Sequence, residues 1–404
     1  MLKTRLRARL YVVIAALIAL AGCAAAPPRH PAPETLEDSA EVLGMPDVRF
    51  WGDDIPPSLE AQLAELTDER QIKALYPALY GHTHNYLALS GGGANGAYGA
   101  GMLAGWTDAG DRPEFQMVSG VSTGALTAPW AFLGPAYDSV LREIYTTKST
   151  KDILRFRRWY DFPFSASAAD SGPLLKLIEH YMSDDVIAAI AAEHRKGRRL
   201  FIGTTDLDYM RPRIWNISAI AASGKPGAKQ LIHKIMLASA SIPGVFPPVL
   251  IHVHAASQSF DELHVDGGVT TQVFVYPAPV DWNKVMERLR MPGQARMFVI
   301  RNATLGTKRE IIQPSFAAIT GRSISSLIRT QGIGDMYLIY MLSMRDGIDY
   351  NLAYIPSEFE TRPSEMFDKE YMKDLFELGY QKALAGYPWD KKPPGWAVKD
   401  TDGS

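Results

Sequence analysis

The chain has 404 residues and one cysteine, Cys23, so no disulfide can close within it and the fold has to rest on a buried core. A dominant charge is missing as well. Lys and Arg number 42 against 44 Asp and Glu, a formal charge of -2. That balance removes the clustered basic surface on which nucleic-acid binding by counterion release depends. The apolar run at residues 10–20 is too short to span a bilayer comfortably. No internal repeat is present. A phosphate-cradling P-loop would need Lys and then Ser or Thr after its second glycine, but Gly96 is followed by Ala97 and Tyr98.

What the sequence does hold is concentrated in residues 86–124, which read as two strand-turn-helix units side by side. Tyr86-Leu87-Ala88-Leu89-Ser90 is a short apolar strand that stops at Gly91-Gly92-Gly93-Ala94-Asn95-Gly96. A helix follows whose small residues, Gly96, Ala97, Ala100, Gly101, Ala104 and Gly105, suit close backbone approach to a sheet. A second strand at residues 115–119 leads into Gly120-Val121-Ser122-Thr123-Gly124, and another helical run covers residues 125–133. A Gly-x-Ser-x-Gly between strand and helix is the pattern of a nucleophile elbow, in which a serine hydroxyl projects above the sheet edge. Acyl transfer also needs N–H donors aimed at the developing oxyanion, and the early glycine loop at a helix N-terminus offers them. Gly91, Gly93 and Gly96 fit the dinucleotide pattern Gly-x-Gly-x-x-Gly too. That pattern expects a carboxylate about 20 residues on, and the next strand ends in Gly120-Val121-Ser122 instead.

A serine hydroxyl is a poor nucleophile until a base takes its proton. Glu262-Leu263-His264-Val265-Asp266-Gly267-Gly268 reads as a strand that delivers Asp266 at its end, where partial burial would raise its basicity. An Asp-Gly turn is the plain alternative. Asp206 and Asp208 read as turn formers between two strands. His82 and His84 read as polar residues leading into the first strand, and His252 and His254 lack the further ligands a zinc site requires.

Around these motifs the chain alternates strands and helices, which implies a mostly parallel sheet covered on both faces. Residues 55–80 suggest a short amphipathic helix, and residues 137–199 an elaboration between core strands. Its aromatic and basic cluster at residues 155–164 suits either packing on the core or contact with a lipid surface. Residues 229–241 read as a helix, residues 314–344 as mostly helical with breaks near Gly321 and residues 332–334, residues 349–355 as an edge strand, and residues 368–385 as an amphipathic helix.

Lys3, Arg5, Arg7 and Arg9 before the apolar run form the basic start of a targeting segment. Leu20-Ala21-Gly22-Cys23 resembles the lipobox of bacterial lipoproteins, which implies cleavage before Cys23 and acylation of its thiol. Ala24 after the cysteine then suggests sorting to the outer membrane of a bacterial cell envelope. The expected organisation is a signal peptide at 1–22 and a flexible Ala- and Pro-rich tether at 23–54. A catalytic domain follows at 55–300 with its insertion near 137–199, then a mainly helical C-terminal extension at 301–404 packed on the core.

Four stretches, in order, resemble the patatin-like phospholipase family. They are Gly91-Gly92-Gly93-Ala94-Asn95-Gly96, Gly120-Val121-Ser122-Thr123-Gly124, Ala238-Ser239-Ala240-Ser241-Ile242-Pro243 and Asp266-Gly267-Gly268. The resemblance covers residues 86–275 and implies an α/β three-layer fold with a mostly parallel central sheet between helical layers. It also implies a Ser122–Asp266 dyad without histidine, acting on lipid acyl esters through an acyl-enzyme, with an oxyanion hole from Gly91, Gly92, Gly93 and Ala94. This chemistry needs no metal or cofactor. Many family members carry Arg or Lys where this chain has Asn95. Two other readings stand beside it. One is an α/β-hydrolase triad using Asp206 or Asp208 with His252, His254 or His264, and the other is a non-catalytic lipid-binding lipoprotein of the envelope.

Overall fold

The computed structural model describes residues 29–158, 166–306, 309 and 311–396. The targeting segment, Cys23, residues 159–164 of the aromatic and basic cluster, and residues 397–404 lie outside the described residues. Eleven strands are described in chain order: β1 (Arg49–Trp51), β2 (Asn85–Leu89), β3 (Met117–Val121), β4 (Arg155–Phe156), β5 (Ala169–Asp170), β6 (Arg199–Asp206), β7 (Arg211–Asn216), β8 (Val249–Ala255), β9 (Gln258–Asp266), β10 (Arg296–Thr304) and β11 (Asp349–Ile355). β4 and β5 pair only with each other.

The other nine form one mixed sheet along the path β1-β7-β6-β3-β2-β10-β11, with the β8–β9 hairpin joined through β9 to β6. From β6 to β11 the strands on this path are parallel, whereas β7, β1 and β9 are added antiparallel. Parallel strands need crossovers, and helices supply them on both faces, so the central strands are apolar on both sides. Leu87, Leu89, Phe298 and Ile300 point to one core with the helices Gly96–Ala109, Thr123–Leu133, Ala228–Ser239 and Lys369–Leu384. Tyr86, Ala88, Met297 and Val299 point to a second core with Leu63, Ile72, Val285 and Met336. This is the three-layer α/β arrangement.

Several boundaries differ from expectation. The supposed tether is docked in its described part: Arg29 pairs with Asp208 at 2.6 Å and Asp261 at 2.9 Å, Glu37 with Arg213, and Arg49 with Glu262, while β1 extends the sheet against β7. Composition suggested flexibility, but these charged residues have partners far off in sequence, and Asp261, Arg213 and Glu262 among them are buried. The boundary at 300 falls inside β10, and β10 and β11 are strands of the main sheet, so both belong to the same body as β2, β3 and β6. Residues 55–80 form two short helices, Leu59–Glu65 and Glu69–Leu75, split at Asp68, whose side chain caps the second.

The helix Phe316–Arg345 runs unbroken through its glycines. An interior glycine costs about 1 kcal/mol, and burial of Met336, Ile339 and Tyr340 holds the second half. The first half stands clear of the body, with Leu327 70% and Ile319 52% exposed.

The glycines of Gly96–Ala109 serve close approach, but to a helix as well as to the sheet. A side chain at Gly101 would meet the Phe376 carbonyl, and one at Gly105 the Tyr380 carbonyl, while Gly379 faces the Tyr98 carbonyl in return. Gly99 lies against Ile300 and Asn302 of β10. Gly101→Val therefore has backbone and no flexible side chain in its way. It is expected to lower the unfolding free energy by about 2 kcal/mol or more in urea titration.

Candidate active site

β6 is the template on which the site is assembled. Its first half pairs with β3 as far as Gly203 opposite Val121, and its next residue, Thr204, pairs with Asp266 of β9. Two strands of opposite direction thus share one edge of β6 and end against each other. The chain leaves β3 at Ser122 and leaves β9 at Asp266. The turn after Asp266 must pass close to β6, and a side chain at Gly267 would strike the Gly203 carbonyl.

Ser122 adopts φ 55° and ψ −123°, in the left-handed half of backbone space that a non-glycine residue enters only under constraint. The flanking glycines make the turn possible. A Cβ at Gly120 would meet the Gly124 carbonyl, and one at Gly124 the Leu89 carbonyl. The Ser122 hydroxyl donates to Asp266 Oδ2 at 2.6 Å, and Asp266 Oδ1 accepts the Gly268 N–H at 2.7 Å. Both residues are buried, at 6% and 5% exposure. Burial pushes the Asp266 carboxyl up to about 7, against the opposing pull of the Ser122 hydroxyl and the Gly268 amide. The result is a base whose ionisation sits near neutrality, hydrogen-bonded to the hydroxyl it would deprotonate.

Ala238-Ser239-Ala240-Ser241-Ile242-Pro243 ties the two together. Ser239 Oγ accepts the Ser122 N–H at 3.0 Å and donates to the Gly203 carbonyl at 2.6 Å, and the Ser241 carbonyl accepts the Asp266 N–H at 3.0 Å. Backbone and side chain of one helix end fix both halves of the dyad.

The glycine loop lies beside Ser122, propped by residues that sequence reasoning missed. Asn302 of β10 donates from its backbone to Ser90 Oγ at 2.8 Å and from Nδ2 to the Ser90 carbonyl at 2.9 Å, and Gly92 packs against its backbone. Gln272 accepts the Gly91 N–H through its carbonyl at 3.1 Å. Gly91 is thereby corrected as an oxyanion donor, because its amide is spent on Gln272. Gly92, Gly93 and Ala94 remain as candidate donors. Asn95 accepts from the Tyr371 hydroxyl at 2.6 Å, so it fastens the loop to the C-terminal helix. No local motif marks Asn302 or Gln272, since each acts from a distant strand or turn.

Ser122 opens into an apolar cavity enclosing about 800 Å³ of empty space, its mouth included. Leu126, Trp130, Met236 and Phe246 line it together with Ile144, Leu174, Ile178 and Met182. The last four come from the 137–199 elaboration, which in sequence looked like an accessory. Lys148 is the cation in this lining, 3.5 Å from Glu143 and 5.7 Å from the Tyr181 ring centre.

The triad reading fails on geometry. His264 Nδ1 is 3.1 Å from Thr204 Oγ1 and its Nε2 3.1 Å from Glu262, while His252 and His254 are exposed on β8. Ser122 meets a carboxylate directly instead. Asp206, Glu262 and His264 are, among the described residues, the group whose ligand atoms gather within 4.8 Å. Arg49 and Arg213 already supply positive charge there, so the group reads as a buried ionic network and not as a metal centre.

A carboxyl raised from 3.8 to about 7 on folding favours the fold fully below the lower value and loses that contribution as pH climbs through the upper one. Asp266→Asn removes the ionising group. In urea titrations at pH 8 it is expected to be more stable than the parent by roughly 2 kcal/mol or more, with the gap closing toward pH 4. Equal pH slopes for the two proteins would contradict the buried-carboxylate assignment.

Among solved structures, the chain is similar to VipD from Legionella pneumophila, with 12% identity and a TM-score of 0.34 over 76% of this chain and 67% of that one. That likeness is too distant to extend what the site shows. No curated protein matches the chain. Residues 87–279 match the family described as Patatin-like phospholipase. That span holds Ser122, Asp266 and the serine block that joins them, and the chain therefore carries a domain of the patatin-like phospholipase family.

Proposed function

We propose that this protein is a lipid acyl hydrolase, of phospholipase A or lysophospholipase type, working through a Ser122–Asp266 dyad. The observation that carries the reading is the 2.6 Å hydrogen bond between a strained, buried serine and a buried carboxylate opening into an apolar cavity. Asp266 takes the Ser122 proton as Oγ attacks the ester carbonyl, and the negative charge moves to the carbonyl oxygen, where the amides of Gly92, Gly93 and Ala94 receive it. Collapse of the tetrahedral species expels the alcohol, which takes the proton from Asp266 and leaves an acyl-Ser122 ester. Water then attacks that ester with Asp266 as base, releasing the carboxylic acid and restoring the hydroxyl.

The apolar walls of the cavity suit an acyl chain. Transfer of such a chain from water contributes about 0.8 kcal/mol per buried methylene.

Ser122→Ala is expected to abolish product formation on a panel of phospholipids and short esters, and to lose labelling by a serine-directed fluorophosphonate. An unaltered protein that neither labels nor hydrolyses any of the panel would favour a lipid-binding role. The rate should rise with pH and reach half its plateau near 7, because only ionised Asp266 accepts the proton.

The membrane assignment is a proposal of the same kind, resting on the Leu20-Ala21-Gly22-Cys23 pattern. Acyl chains on Cys23 would anchor the protein to a bacterial envelope membrane. Among the described residues no helix is long and apolar enough to cross a membrane. Cys23→Ser is expected to move the protein from the membrane to the soluble fraction of expressing cells. Unchanged fractionation would rule out the thiol as the anchor.

A further inference from the structure

A second large cavity lies on the other face of the sheet and at the other end of the strands from Ser122, and it shares no lining residue with the first. Parallel register sets Tyr86, Met117 and Arg199 side by side on β2, β3 and β6, and these residues line the cavity together with Phe201. About 1900 Å³ of empty space, mouth included, is closed further by Leu63, Tyr276 and Trp282.

One permanent cation enters this mostly apolar space. Arg199 Nη1 donates to the carbonyls of His194 at 3.2 Å and Arg198 at 3.0 Å, and the guanidinium lies 5.7 Å from the Tyr76 ring centre. Among the described residues no carboxylate pairs with Arg199, and none accepts from its Nε or Nη2. The adjacent Arg198, by contrast, meets Glu193 at 2.7 Å. Arg199 is partly buried, and that burial lowers its pKa.

The other titratable groups of the lining do not compensate it. His84 is held between the Leu79 carbonyl and the Tyr86 hydroxyl, His194 lies against the Ser218 hydroxyl, and Asp47 is exposed. The Nε–Nη2 edge of a guanidinium is a planar two-donor fork that matches a carboxylate.

We propose that this cavity binds an amphiphile bearing one carboxylate, with the head on the Arg199 guanidinium and the hydrocarbon against Tyr86, Met117 and Trp282. This site is independent of the chemistry at Ser122, and its test needs no turnover. The unaltered full chain is irradiated with a diazirine-bearing hexadecanoic acid, and the labelled peptides are located by mass spectrometry. Label is expected on peptides carrying Tyr86, Met117 or Trp282, reduced roughly tenfold or more when the matching alcohol replaces the acid. Arg199→Gln, checked for an unchanged melting temperature, should show the same reduction there while label near Trp130 and Met236 persists. Should that variant fail to fold, the acid-to-alcohol ratio on the unaltered chain decides. Label confined to the cavity above Ser122, or equal labelling by acid and alcohol at the second cavity, overturns the proposal.

Discussion

The edge of β6 is the constraint on which the site depends. Val121 and Asp266 occupy consecutive positions along it, opposite Gly203 and Thr204, although 144 residues separate Ser122 from Asp266 in the chain. Hydrogen-bond registry between strands moves in whole residues, so a slip of one would carry Asp266 away from Ser122 and turn its side chain to the opposite face. Each neighbouring feature defends that registry. Gly203 and Gly267 allow the turn to lie close, the Thr205 hydroxyl donates to the Asp266 carbonyl at 3.0 Å, and Ser239 and Ser241 clamp the two backbones from the end of one helix.

Burial pushes the Asp266 and Glu262 carboxyls of β9 the same way, and their partners decide the outcome. At Asp266 it raises the pKa and so disfavours the charged form, which is a cost in stability at neutral pH and suits the base of the proposed dyad. Nearby on β9, Glu262 is buried too, yet its ionised form is favoured despite desolvation because His264 and Arg49 meet it. The same strand thus carries one carboxylate met by cations and another, without a counter-ion, that is the base of the proposed dyad.

The ionic network around Glu262 also joins the N-terminal segment to the catalytic strand. Glu37 and Arg49 come from that segment, Arg213 from β7 and Glu262 from β9, all with side chains no more than 7% exposed. Buried pairs of this kind add little net stability, since desolvation offsets attraction, but losing one partner leaves the other charge stranded. Docking of the segment is therefore specific, and the domain begins earlier than its composition suggested. The glycine loop depends in a similar way on β10, beyond the span that the family match covers.

How much was legible beforehand follows from the range of the forces involved. Gly120, Ser122 and Gly124 announced a turn because its steric demands are local, and Asp266-Gly267-Gly268 did so for the same reason. The alternation of strands and helices was legible from hydrophobic periodicity, and with it the layered α/β class. Resemblance to a family then linked motifs that local rules could only mark separately. The use of the Gly91 amide by Gln272, the support from Asn302, the apolar wall from residues 137–199, the docked N-terminal segment and the uncompensated Arg199 were not legible. Each is a contact between residues distant in sequence, created by strand order and register. The sequence by itself determined which residues can turn, donate or ionise, because those are properties of side chains and short backbone stretches. Only the tertiary structure decided which of them meet, which amides stay free and how far water is excluded, because these depend on packing across the whole sheet.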